Sequence, residues 1–251
     1  MRRALLFAFS LLLGSLFIGR VAHAASPDTC DFNEAFKKLE AAQNDQSLDY
    51  SASVKAQLTI RKDILRQVIA CNHDDIVALR AKIGTLQTPT DAAQRLRDQL
   101  LAALDETDNY FASQSEKIDT LGLRGTQEMA ADLLTWRARI TDQTTGQVND
   151  FSTWLTNQDI FTTAHARLTY ISQTMERLKL DDNDDLSGLL EDAKRNLATA
   201  DNDNARAFEA MAAFEPTETV TPLIKDSLET LSKTYQIFFE ISDAVKKIIP
   251  H

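Results

Sequence analysis

Few residues in this chain have the types and spacing that chemistry requires. Cys30 and Cys71 are its two cysteines, and His23, His73, His165 and His251 are its four histidines, each remote from the others. A zinc centre needs about four His, Cys or carboxylate ligands, usually nucleated by a C-x-x-C or H-x-x-x-H pair. Neither spacing occurs. The nucleophile elbow G-x-S-x-G, the Walker A loop and G-x-G-x-x-G are absent as well, so nothing here builds a phosphate cradle or an activated serine. His73, beside Asp74 and Asp75, is expected in solvent, and His165, among Phe161, Ala164 and Leu168, is expected on the flank or in the core of a helix. Either imidazole could act as a general base, but no nucleophile stands with it. The expectation is a protein that is not an enzyme and carries no cofactor.

One segment resembles an ion site. In Asp181-Asp182-Asn183-Asp184-Asp185-Leu186-Ser187-Gly188-Leu189-Leu190-Glu191-Asp192, oxygen-bearing side chains fall where a helix–loop–helix calcium loop places its ligands. Leu186, however, stands where that loop turns sharply on a glycine, and Asp192 is shorter than the bidentate glutamate usual at its end. The segment therefore reads better as a helix junction, with Asp184 or Asp185 as N-cap and an acidic first turn that complements the helix dipole. Asp201-Asn202-Asp203-Asn204 is a second acidic patch, about 22 Å further along if one helix joins the two, too far to share an ion.

The cysteines point to a disulfide. Helices over Phe32 to Gln46 and from Ser51 to Cys71, folded at Ser47 to Tyr50, would bring Cys30 beside Cys71. Such a bond belongs in an oxidising compartment. The N-terminus agrees: Arg2 and Arg3, an apolar run from Ala4 to Gly19, then Ala22-His23-Ala24, follow the order of a secretory signal cleaved after Ala24. Sixteen helical residues span about 24 Å, short of the ~30 Å hydrocarbon core, so a membrane span is disfavoured. The expected organisation is a signal peptide over residues 1–24 and one all-helical domain over 25–251, with a sub-boundary near 85–90. The expected location is periplasmic or extracellular.

Charge narrows the partners. The chain has 251 residues, 37 acidic and 27 basic, for a net charge of −10, and removal of Arg2, Arg3 and Arg20 would leave it more acidic still. Its basic residues are scattered, which argues against nucleic acid and against anionic lipid, both of which select positive patches. With 43% hydrophobic residues it can bury a core.

The elements that must position these side chains are all helical. Apolar residues recur three and four apart throughout, and no alternating stretch marks a strand. Val54, Leu58, Leu65, Val68, Ile76, Leu79, Ile83 and Leu86 form one stripe, with a possible interruption at Asn72 to Asp75. Thr88-Pro89-Thr90-Asp91 starts the next helix, with Pro89 expected in its first turn, and the stripe runs on through Phe111 and Ile118 to a stop at Gly122 to Gly125. Thr126 is expected to cap the following helix, in which Gly146 is a weak point, and Asn157-Gln158-Asp159 to end it. Phe161, Ala164, Leu168, Ile171, Met175 and Leu178 then keep a narrow seam, and Pro216 and Pro222 bracket the last connection. The sum is an elongated up-and-down bundle of about six to eight helices with a disulfide-pinned N-terminal hairpin.

The function expected of it is that of an exported protein-interaction or scaffold component whose partner is another envelope or extracellular protein. The final helix, apolar almost all round at Tyr235, Ile237, Phe238, Phe239 and Ile241, is either the centre of the bundle or a partner face, the former being preferred. The alternative is a ligand-binding or sensor module holding a small molecule between helices, for which Trp136, Trp154 and Arg137 are the residues to examine beside any cavity.

Overall fold

The computed structural model describes residues 30–180 and 182–248, and the signal-like segment 1–24 lies outside them. No strand occurs among the described residues. Seven α-helices follow one another: α1 (Asn33–Asn44), α2 (Tyr50–Gly84), α3 (Asp91–Ser115), α4 (Leu123–Trp136), α5 (Asp142–Arg177), α6 (Asp184–Ala212) and α7 (Thr217–Ile248). A π-turn, Arg137–Thr141, joins α4 to α5 without a break. The two form one rod from Leu123 to Arg177, about 80 Å long at 1.5 Å per residue. The fold is thus the elongated all-α bundle that the periodicity predicts.

The rod is the spine of two three-helix packings. Its first half lies against α2 and α3, its second half against α6 and α7. Ile76, Leu100, Phe111, Val148 and Phe151 are buried in the main core, and Ala210, Met211, Val220 and Ile224 reach back into it from the α6–α7 corner. Beyond this shared middle the core narrows. Phe161, Leu197 and Phe238 form one layer, and Met175, Leu186 and Ile241 close the far end.

At the near end α1 buries no residue of its own, and Phe36 on it is 54% exposed. It is held to α2 by the disulfide Cys30–Cys71, with Cα atoms 5.7 Å apart, and by a long hydrogen bond that Ser53 Oγ donates to the Ala42 carbonyl (3.5 Å). Cys71 itself is buried in α2, so the bond anchors a marginal helix to a packed one.

Several helix limits differ from those the sequence suggests, and each difference has a local cause. The α2 helix runs straight through Asn72 to Asp75, because Asn72 turns its amide onto the Val68 carbonyl (2.7 Å) and Ile76 is fully buried. Thr90, not Pro89, begins α3: its hydroxyl accepts from the Ala93 N–H (3.1 Å), which leaves Pro89 outside the first turn. That helix stops at Ser115, and Ile118 lies in a short 3-10 turn, Ile118–Thr120, still fully buried. Gly122 opens α4 where it was expected to close α3, and Thr126 sits inside the new helix, donating to the Leu123 carbonyl (2.7 Å). At Asn157 to Asp159 no break occurs. Gln158 there donates to the Trp154 carbonyl and exchanges bonds with Asn204 of α6, so side-chain pairing and the burial of Phe161 carry α5 onward. Pro222 falls within α7, where its missing N–H removes one helical bond near the start.

The two corners of the second bundle share a design that no glycine announces. Lys179 (φ 52°) and Phe214 (φ 55°) are left-handed. After Lys179, the Leu180 N–H returns to the Met175 carbonyl and the Lys179 N–H to that of Glu176; after Phe214, Glu215 and Phe214 bond Ala210 and Met211 in the same way. Both are Schellman endings, with Leu180 packed near Met175 at the far end of the core.

Candidate functional site

The π-turn is where polar and aromatic side chains gather. A π-turn widens the helix by one residue and frees its backbone from the usual register, and such turns are frequent at functional sites. Here the Asp142 N–H bonds the Arg137 carbonyl five residues back, and the Arg137 guanidinium reaches Asp142 at 3.6 Å. A cleft of about 300 Å³ opens beside it, lined by Tyr110 of α3, by Asp132, Thr135 and Trp136 of the last turn of α4, and by Arg139 and Ile140 of the π-turn.

An aromatic ledge forms one side of the cleft. The rings of Tyr110 and Trp136 are stacked, 3.8 Å between centroids and 9° from parallel, and Tyr110 meets the buried Phe111 edge-on at 5.6 Å. Burial raises the Tyr110 phenol above its ordinary pKa, and the negative charge of Asp132 raises it further. The Trp136 indole N–H is out of water without a hydrogen-bond partner. Among the described residues neither Asp132 nor Arg139 enters an ion pair, although both line the cleft.

The residues singled out in the sequence are distributed as follows. Trp136 lines the cleft. Trp154 does not: its indole N–H donates to the Asn204 carbonyl (3.1 Å), and its ring packs with Phe151 and Phe208. Arg137 is spent on Asp142, and Arg139 takes the place expected of it. The helical series Asp132, Thr135, Trp136, Arg139 repeats at three, four and seven, a mixed charged and aromatic face that could have flagged the cleft.

Both described histidines are paired across helices. His73 is exposed as expected, and its Nδ1 lies 2.7 Å from Asp108 of α3, whose other oxygen accepts from Arg80 (3.2 Å). Burial pushes the Asp108 carboxyl upward, but the hydrogen bonds and charges of His73 and Arg80 outweigh it and hold the group below the usual carboxylate range. His165 Nε2 lies 3.0 Å from Asp201 of α6. Among the described residues no cysteine or hydroxyl side chain bonds either imidazole, and the pairs tie helix to helix. His251 lies outside the described residues.

The acidic segment begins α6. Asn183, not Asp184 or Asp185, is the cap, accepting the Leu186 N–H at 3.0 Å, and Leu186 is 1% exposed in the core. From Asp184 onward the chain is helical and Asp192 pairs with Arg195, so residues 184–192 do not wrap around a centre. Asp181 lies outside the described residues. No group of three potential metal ligands occurs among the described residues.

One buried carboxyl sits at the middle of the molecule. Asp150 of α5 accepts from Thr221 of α7 (2.9 Å), while its second oxygen is out of water without a partner. Burial raises its pKa, and the bond from Thr221 opposes the rise.

The α7 helix packs against α5 and α6 and contributes Leu231, Phe238 and Ile241 to the core. Tyr235 is half-buried under the Arg167 guanidinium, 5.1 Å from its ring centre, and donates to the Ile160 carbonyl (3.3 Å). Phe239 remains 47% exposed. No described helix is long and apolar enough to cross a membrane. No family model, no curated protein and no solved structure matches this chain.

Proposed function

We propose that this chain is an exported, non-enzymatic scaffold of the cell envelope or extracellular space, a stiff acidic rod that engages another protein along its helices. The observation that carries the reading is the continuous rod from Leu123 to Arg177, shared by both bundles, which sets a fixed separation of tens of ångströms between the two ends. The disulfide supports export, because such bonds persist in oxidising compartments. Crosslinking of residues 25–251 in an envelope extract, followed by mass spectrometry, tests it. One abundant partner, crosslinked through defined helix positions, is expected; recovery of no protein above background overturns the scaffold reading. A second reading, a small molecule held between helices, is favoured by the cleft between Tyr110 and Arg139.

A further inference from the structure

The cleft at the π-turn presents two opposite charges that neutralise neither each other nor a neighbour. Asp132 precedes Arg139 by seven residues, two turns along one face of the rod, about 10 Å along the axis. Helical side chains lean toward the N-terminus, so the long Arg139 side chain is directed back over the turn of Thr135 and Trp136 toward Asp132. Arg137, two residues earlier, has its carboxylate in Asp142; Arg139 has none among the described residues. The Trp136 ring, stacked on Tyr110, and the side chain of Ile140 line the same cleft. The volume, about 300 Å³, is at the small end of the ~300–1,000 Å³ of ligand pockets.

A molecule that fits these features has an apolar planar body, a cationic group and an anionic group close together. Deepening the small-molecule reading on which it rests, we propose that the cleft binds the zwitterion of a free aromatic α-amino acid. The ammonium sits on the Asp132 carboxylate, the carboxylate on the Arg139 guanidinium, and the ring against the Tyr110–Trp136 ledge and Ile140. Each charge of the ligand meets an unpaired opposite charge, which is where charge-assisted hydrogen bonds are worth most. The body gains stacking and apolar contact. An aromatic residue inside a peptide lacks both charges and is disfavoured.

Calorimetric titration with four compounds tests this: L-phenylalanine, N-acetyl-L-phenylalanine, L-phenylalaninamide and the doubly blocked N-acetyl-L-phenylalaninamide. Phenylalanine is expected to saturate the protein, and loss of either ligand charge to weaken binding about tenfold or more. Asp132→Asn should abolish the preference for phenylalanine over its N-acetyl form and leave the preference over the amide; Arg139→Gln should do the reverse. Both side chains are exposed, so circular dichroism and melting are expected to be those of the parent. Absence of phenylalanine binding at about 10 mM, or binding that both variants leave intact, overturns the proposal. If the doubly blocked compound binds as well as phenylalanine and Tyr110→Ala removes it, the small-molecule reading stands and the zwitterion falls. If none of the four binds, the proposal is overturned, and the small-molecule reading then rests on whether a thermal-shift screen finds any ligand lost in Tyr110→Ala.

Discussion

Thr217 of α7 presses directly on Gly146 of α5: a Cβ added at Gly146 would lie 2.3 Å from Thr217 Oγ1 and 3.2 Å from its Cβ. The glycine is therefore the place where the corner between α6 and α7 seats on the rod. Gly146→Ala should gain about 1 kcal/mol of helix propensity yet lose more than that to displacement of the corner, a net loss of about 1–2 kcal/mol. Urea unfolding of the variant measures it. Gly146→Ala combined with Thr217→Gly, which clears the contact, should recover part of the loss.

Lys179 holds a left-handed conformation that costs a side-chain-bearing residue about 1–2 kcal/mol. It is exposed, and among the described residues its side chain makes no hydrogen bond or ion pair that glycine would forfeit. Lys179→Gly should stabilise the protein by about 1 kcal/mol, seen as a higher denaturation midpoint with an unchanged slope. An unchanged or lower midpoint would count against the Schellman ending at this corner.

Asp150 gives the protein a pH response opposite to that of an ion-paired carboxylate. Its folded pKa is raised above the ordinary value by burial, so the folded state binds more protons than the unfolded state as pH rises from about 4 through that raised value. Stability from this group is fully present at low pH and is lost across that window. Asp150→Asn should accordingly be more stable than the parent at neutral pH, with the difference shrinking as the medium is acidified toward pH 4. Asp108 works the other way: its lowered pKa contributes stability above the unfolded value that is lost as pH falls through the folded one. Asp108→Asn should thus cost most at neutral pH and least in acid, and melting curves of both variants between pH 3 and 8 separate the two cases.

The disulfide Cys30–Cys71, closing a sequence separation of 41, is worth about 3–4 kcal/mol by the chain-entropy argument. Cys30→Ala should lower stability by a few kcal/mol and leave helicity nearly unchanged, since α1 is short and buries nothing. Equal melting of parent and variant without reductant would remove the bond from the account.

The helical class, the N-terminal hairpin and its covalent pin were legible because periodicity and cysteine parity are local signals. Helix ends were less so. Asn157 to Asp159 and Asn72 to Asp75 look like stops, yet packing of Phe161 and Ile76 on neighbouring helices overrides local propensity. The left-handed corners at Lys179 and Phe214 carry no glycine, so nothing in the string marks them. The cleft was half legible. Trp136 could be named from its place on a helix, whereas Tyr110 joins it only because α3 packs against the π-turn, and the π-turn that brings Arg139 round has no sequence signature.

The central claim is that one unbroken helix spans both bundles and fixes their separation. Spin labels at Ala130 and Ala166, both exposed and placed on either side of the π-turn, measure it by electron–electron dipolar coupling. A single narrow distribution near about 50 Å is expected from the helical rise. A broad or two-peaked distribution with a markedly shorter component would show a hinge at the π-turn or Gly146, and would contradict the rod.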